Sequence, residues 1–357
     1  MSDALIVWTN DLDDDGVEVA GSKIARLGSL RKIGVTVPEG FALTTGAYRM
    51  FVSEAGLHHA IEKFLGDVDD PDDFDQVEAA SEAIRRAFHS APVPPVISTA
   101  VEEAYEELSD QCRDLNVPVA VRSSATGEDG VESSFAGQFE TVLGVSGVED
   151  VLDAVKVCWA SLFGGRALSY RLHHDIDHTS SPMAVGIIEL IHARSSGVAF
   201  SIHPVSGKRD RMVIEANWGW GEAVVQGLVT PDHIEVGKTD RRTLLYQEHT
   251  KEVVSQFDYS KGRVVEVQMP TRLRDRRVLD DDELAAIVDA VLEIESHYNY
   301  PVDVEWVIAR HWRAGEPVVV VQARPETVHA PAAPKSSAGF DIATIARRTV
   351  LRGPDDG

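Results

Sequence analysis

The stretch "PVDVEWVIARHWRAGEPVVVVQARP" (residues 301–325) consists of two extended segments of alternating character around a polar turn. In a strand, side chains two residues apart share a face. Asp303 and Glu305 therefore point one way, while Val302, Val304 and Trp306 point the other. On the second segment Gln322 and Arg324 share one face, and Val319, Val321 and Ala323 the opposite one. If "RHWRAGE" closes a hairpin, two carboxylates, an amide and a guanidinium line one surface. Carboxylate oxygens suit Mg²⁺, which takes one or two protein ligands together with phosphate oxygens, and a guanidinium suits a transferring phosphoryl group. Taken alone, the pattern is equally that of a solvated sheet face with cross-strand ion pairs.

A second stretch tips that balance. "VAVRSSATGEDGVESSFAGQFET" (119–141) begins as a buried strand, ends as a loop rich in Gly and Ser, and places Arg122 at the junction. Small residues let backbone N–H groups approach phosphate oxygens. Far upstream, "GSKIARLGSLRKIG" (21–34) has Ile24, Leu27, Leu30 and Ile33 at helical spacing, with Lys23 in its first turn. Arg122 and Lys23 supply positive charge that the chain otherwise lacks: 34 Lys and Arg stand against 58 Asp and Glu, a formal charge of −24. That balance repels nucleic acid and anionic membranes, so an anionic substrate must meet a local positive site. Glu128, Asp129 and Glu132, within the loop, are expected to face solvent or a partner. No GxxxxGK[ST] occurs, and no GxGxxG opens a helix after a strand, so neither a P-loop nor a Rossmann turn is present.

At 357 residues the chain exceeds what one core usually organises, which predicts two lobes. Residues 45 to 115 read as mainly helical, with breaks at "GDVDDPDDFD" and "APVPP"; a helix is expected from about Val148 to Tyr170. From residue 184 the text becomes strand-rich ("AVGIIELI", "GVAFSI", "RMVIEAN", "HIEVG", "TLLYQE", "RVVEVQM"), which puts a boundary near residue 190. "DDDELAAIVDAVLEIESHYN" reads as a helix with an Asp start. The expected organisation is an α+β fold with lobes at 1–190 and 191–330. Residues 331–357 then form a linker-like tail whose "FDIATIARRTVL" is a short amphipathic segment expected to pack on the body or dock a partner. Cys112 and Cys158 lack ligand spacing and read as reduced core thiols. With no basic leader and no long apolar run, a cytoplasmic protein is expected.

"GSKIARLGSL", "GVTVPEGFALTT", "VAVRSSATGED", "SSFAGQFETVLGV", "WGWGEAVVQG", "VDVEWVI" and "VVVVQARPET" occur in this order. Together they resemble the nucleotide-binding domain of the phosphoenolpyruvate synthase and pyruvate phosphate dikinase family, from about residue 5 to residue 328. The resemblance implies an ATP-grasp fold in which two α+β lobes clamp ATP and Mg²⁺. It implies that Lys23 and Arg122 bind phosphate, that Glu305, with Asp303 beside it, binds metal, and that Gln322 and Arg324 flank the transferring phosphate. Gly137 and Thr141 fall in the glycine loop over the phosphates, and Glu222 in "WGWGE" among the nucleotide contacts. Where the family usually reads V-Q-x-M-V at the adenine hinge, this chain has "GIIELI", placing base contacts at Ile188, Glu189 and Leu190.

Such enzymes pass the β-phosphoryl group of ATP to a histidine on a swivelling domain, leaving AMP and phosphate. None of the 13 histidines lies in the Gly-rich context of that acceptor. The expectation is therefore the ATP-binding subunit of a split dikinase-type phosphotransferase resembling phenylphosphate synthase or the cresol-phosphorylating enzyme. A separate partner chain would carry the histidine, and a small acceptor, phenolic first and pyruvate second, would receive the phosphoryl group. The alternatives are the nucleotide domain of a pyruvate, water dikinase, a non-catalytic ATP-sensing module, and a drug phosphotransferase of the rifamycin-modifying kind.

Overall fold

A near-continuous apolar strand is the mark of a sheet covered on both faces, and "VAV" (119–121) and "AVGII" (184–188) lie in such a sheet. The computed structural model describes residues 4–126, 139–173, 182–221, 229–258, 261 and 263–326. β1 (Ile6–Trp8) leads to α1 (Val17–Lys32) and β2 (Gly40–Leu43). Four helices follow: α2 (Thr45–Glu54), α3 (Leu57–Gly66), α4 (Phe74–Ser90) and α5 (Pro95–Gln111). Next come β3 (Val119–Ala125), β4 (Thr141–Val145), α6 (Val148–Ala160), α7 (Gly165–His173) and β5 (Met183–Glu189). The five strands form one antiparallel sheet in the order β1-β2-β5-β3-β4.

Its two faces are read directly from period two. Phe41, Leu43, Val119, Val121, Met183, Val185 and Ile187 share one core with α2–α6, which includes Phe51, Phe88 and Trp159. Ala42, Ala120 and Ile188 point the other way, into a core with Ile24, Leu27 and Leu30 of α1. Arg122, two residues past Ala120, is on that second face.

The second sheet runs β13-β12-β6-β7-β8-β9. Its strands are β6 (Ala193–Phe200), β7 (Arg211–Trp218), β8 (Asp232–Gly237), β9 (Thr243–Gln247), β12 (Val302–Ala309) and β13 (Val319–Pro325). Between β9 and β12 lie a separate hairpin, β10 (Val253–Asp258) with β11 (Arg263–Gln268), a single turn α8 (Thr271–Arg274), and α9 (Asp281–Tyr298). α9 starts in a capping box: Asp280 accepts from Glu283 N–H, and the Glu283 side chain accepts from Asp280 N–H. Its apolar side (Leu284, Ile287, Val288, Val291, Ile294) packs on Ala199, Met212, Ile214, Val304, Trp306 and Ile308. The opposite face of this sheet carries the polar side chains.

A fully buried ion pair ties the outer strands to the start of α9. Asp232 accepts from Lys251 Nζ at 2.6 Å, His249 N–H at 3.0 Å, Val278 N–H at 2.9 Å and Tyr246 Oη at 3.2 Å. A buried charge is tolerable only when its lone pairs are used in this way. The expected helix over 148–170 is instead two, α6 and α7, with a 3₁₀ turn at Ser161–Phe163 between them; Gly164 and Gly165 stand at the break. The tail beyond Glu326, with its "FDIATIARRTVL", lies outside the described residues. No helix among the described residues is long and apolar enough to cross a membrane.

Candidate functional site

β12 and β13 pair as an antiparallel hairpin in the register the alternation predicts: Asp303 opposite Arg324, Val304 opposite Ala323, and Glu305 opposite Gln322. A register shift follows between Glu305 and Trp306 and breaks the expected alternation on β13: Val320 and Ala323 enter the core under α9, whereas Val321, expected beside Ala323, packs on the Val307 side. Asp303 Oδ2 accepts from Arg324 Nε and Nη2, each at 2.7 Å. Asp303 is 6% exposed. Burial pushes its carboxyl above the usual range, and Arg324 opposes that shift. The side chain of Glu305, half-buried beside it, forms no hydrogen bond or ion pair among the described residues.

Arg122 comes to this hairpin from the other sheet. Its Nη1 donates to Val321 carbonyl at 2.8 Å and its Nη2 to Gln322 Oε1. Gln322 thus gives one lone pair of its amide oxygen to Arg122 and keeps its NH₂ for other partners. A second tie runs from α1, where Arg26 Nη1 donates to Ala323 carbonyl at 3.3 Å.

Lys23 follows a kink in α1. Gly21 there has φ +70, and a Cβ on it would meet Ser124 carbonyl oxygen at 1.8 Å. The contact seats the new helical turn on the end of β3: Ser22 Oγ donates to Ala125 carbonyl at 3.1 Å, and Ile24 N–H to Ser124 Oγ at 3.3 Å. Lys23 therefore stands beside the C-terminal end of the strand that carries Arg122. Thr141 is opposite Arg122 on β4 and exposed. Gly137 and Glu222 lie outside the described residues.

Glu189 N–H donates to Glu39 carbonyl and Leu190 N–H to Pro118 carbonyl, both at 2.8 Å. The Glu189 side chain turns towards Glu39 and Cys112, where burial and then Glu39 raise its carboxyl. Burial, with Glu189 and Glu39, pushes the Cys112 thiol up to about 12. Cys112 is half-buried rather than a core thiol, whereas Cys158 is fully buried. The N–H groups of Glu189 and Leu190 are thus engaged by the residues that lead into β2 and β3. The Leu190 side chain does face the junction: with Ile191, Val264 and Val321 it packs on a small cluster of Ala193, Trp220, Phe257 and Val307. Trp220 Nε1 donates to Ile191 carbonyl at 2.8 Å. Sequence reasoning missed Trp220 and Phe257 as parts of this junction. Their only local signal is an aromatic beside the glycines of "WGWG" and another in a strand, β10, that was not foreseen.

A junction with an apolar patch at one end and Arg122, Gln322, Arg324, Asp303 and Glu305 at the other can hold a ligand that is planar and apolar at one end and anionic at the other. Among the described residues no three His, Cys, Asp or Glu side chains converge as a metal cluster. An unpaired Glu305 with Asp303 beside it still suits Mg²⁺, which needs one or two carboxylates when phosphate oxygens complete its shell.

The chain is similar to known proteins over nearly this whole span. The profile of the family described as "Pyruvate phosphate dikinase, AMP/ATP-binding domain" matches residues 17–341. The phosphoenolpyruvate synthase of Aeropyrum pernix is 38% identical over 351 residues, covering 92% of this chain and 43% of that protein. A probable phosphoenolpyruvate synthase of Methanothermobacter thermautotrophicus is 40% identical, covering 90% of this chain and 46% of that protein. The phosphoenolpyruvate synthase of Escherichia coli K12 is 38% identical, over 92% and 42% respectively. The chain spans less than half the length of these relatives. It belongs to the pyruvate phosphate dikinase AMP/ATP-binding domain family.

Proposed function

We propose that this chain is the ATP-activating part of a dikinase-type phosphotransferase, with an ATP-grasp arrangement in which the two sheets are the jaws. The reading rests on one observation above the rest: Arg122 of the first sheet and the Asp303–Arg324 and Glu305–Gln322 pairs of the second converge at one junction, beside an apolar patch. The base lies on Leu190, Ile191, Trp220, Phe257 and Val307. The Ile191 N–H, without a hydrogen-bond partner among the described residues, replaces Glu189 and Leu190 as the donor to it.

The phosphates lie towards β12 and β13. Arg324, held by Asp303, faces the charge that develops on the transferring phosphoryl; Gln322 donates through its NH₂; Lys23 and Arg122 neutralise the remaining phosphate oxygens. Glu305 and Asp303 would hold Mg²⁺, whose chemistry here is charge neutralisation on phosphate oxygens. The β-phosphoryl group passes to a histidine outside residues 4–326, on a swivelling domain or a separate chain, leaving AMP and phosphate. The names of the relatives favour pyruvate as final acceptor; the phenolic compound expected from the sequence has no support among them.

The chain should bind ATP with Mg²⁺ and turn it over only slowly alone. Supplied with its histidine-bearing domain, it should yield AMP as the main nucleotide product, read by chromatography. ADP as the sole product overturns the mechanism.

A further inference from the structure

One row of the second sheet contains a buried polar group that nothing above uses. The registers place Val307 of β12, Ser196 of β6 and Asn217 of β7 side by side. Two residues along, the parallel row is Gln322, Glu305, Val198 and Glu215. Because alternate residues share a face, Asn217 is on the face that carries Glu305 and Gln322. It is 0% exposed, and among the described residues neither its amide nitrogen nor its amide oxygen has a hydrogen-bond partner. Ser255, also 0% exposed, has a hydroxyl without a partner among the described residues as well. It belongs to β10, which meets the second sheet just past Asn217: Trp220 N–H donates to Ser255 carbonyl at 3.1 Å, and Gly219 bridges to Ser255. The third polar group of the row is already used, as Ser196 Oγ donates to Gly219 carbonyl at 2.7 Å. A buried amide and hydroxyl left unbonded are costly, and such groups normally have partners.

We infer that Asn217 and Ser255 recognise the sugar hydroxyls of the bound nucleotide. This rests on the nucleotide reading above and extends it. The row lies between the two ends of the site. On one side Val307 joins Ala193, Trp220 and Phe257 in the apolar cluster assigned to the base. On the other, about 6.6 Å away at the rise of a strand, Glu305 and Gln322 begin the phosphate end. A nucleotide laid along this line has its ribose over Val307, Ser196 and Asn217. The chemistry matches: a ribose hydroxyl both donates and accepts, as an amide and a serine hydroxyl do, whereas phosphate oxygens only accept. The niche is enclosed in this structure, and β10 with β11 must give way for the sugar to enter.

The test is calorimetric titration of the whole chain with Mg²⁺ and ATP, 2′-deoxy-ATP or 3′-deoxy-ATP. The chain should bind ATP at least tenfold tighter than one of the deoxy analogues. A site that hydrogen-bonds a hydroxyl rejects the analogue lacking it because its own groups are then left unpaired. In Asn217→Leu, close in size but apolar, that ratio should fall to about one; in Ser255→Ala it should fall part of the way. A purely structural role would weaken all three nucleotides together and leave the ratio intact. ATP binding without discrimination, or discrimination unchanged in both variants, overturns the sugar assignment alone. No binding of ATP at all overturns the nucleotide reading and the sugar assignment with it. If Asn217→Leu does not fold, Ser255→Ala decides.

Discussion

At the scale of single residues, Arg324 and Asp303 depend on one another unequally. Asp303 is almost fully buried and its charged form is favoured by the guanidinium, while Arg324 is 41% exposed. Arg324→Ala should abolish phosphoryl transfer and leave ATP affinity within roughly tenfold, because a group acting on developing charge matters more to the transition state than to the ground state. It should also destabilise, by less than the roughly 3–5 kcal/mol of a fully buried pair, since half of this one reaches water. The pH dependence has a definite sign. The Asp303 carboxyl is raised in the fold, so the stability it contributes is present at low pH and is lost as pH rises through its folded value. The stability defect of Arg324→Ala should therefore be larger at pH 7 than at pH 5, and Arg324→Ala with Asp303→Asn should regain stability without activity, as read by urea melts. Glu189 follows the same sign, raised by burial and by Glu39. Glu189→Gln should raise the melting temperature at pH 7 by a few degrees, with the gain vanishing on acidification into the ordinary carboxylate range. An equal gain at every pH would mean that its charge is not what costs stability.

At the scale of elements, the kink in α1 is the most exposed to test. Gly21 is in the left-handed region and in contact with Ser124, so Gly21→Ala requires both a backbone conformation costing about 1–2 kcal/mol and a displacement of β3. A stability loss of about 2 kcal/mol or more is expected in denaturant melts, together with weaker ATP binding as Lys23 moves from the end of β3. Normal ATP binding in a folded Gly21→Ala would separate Lys23 from the phosphate site. The hairpin of β12 and β13 was legible in the sequence because its period of two coincides with a clean division between charged and apolar residues. α9 was legible because its Asp cap and its apolar spacing agree. The strands β1 and β10 were not foreseen. β1 has only three residues, and β10 (VVSQFD) has little alternation, burying Val254, Ser255 and Phe257 only through contacts with distant chain. The direction of Glu189 was illegible for a related reason: its fate is decided by Glu39 and Cys112, far away in sequence.

At the scale of the whole molecule, Arg122 makes contacts that the sequence reading did not include. As a lone arginine beside a Gly-rich loop it reads as a phosphate ligand; in the fold its guanidinium spans the junction and donates to Val321 and Gln322, some 200 residues along the chain. No local pattern encodes that partner, because it depends on how the two sheets come together. The consequence is that one side chain both holds β13 against the first sheet and faces the end of the junction to which the phosphates are assigned in the proposed function. Arg122→Ala should then produce two effects that separate. ATP affinity should fall by more than tenfold, consistent with losing hydrogen bonds from a charged donor worth about 1.5–3 kcal/mol. Amide hydrogen exchange over residues 319–325 should also accelerate in the nucleotide-free chain, since β13 is an edge strand whose outer side is held by Arg122, by Arg26 at Ala323 and by Val320 N–H at Thr36 carbonyl. Arg122→Lys, which keeps the charge but not the two-pronged donor, should restore part of the affinity and little of the exchange protection. Exchange over 319–325 that is the same in all three proteins would leave Arg122 a ligand-binding residue alone, and the two sheets would then be held at this edge by α1.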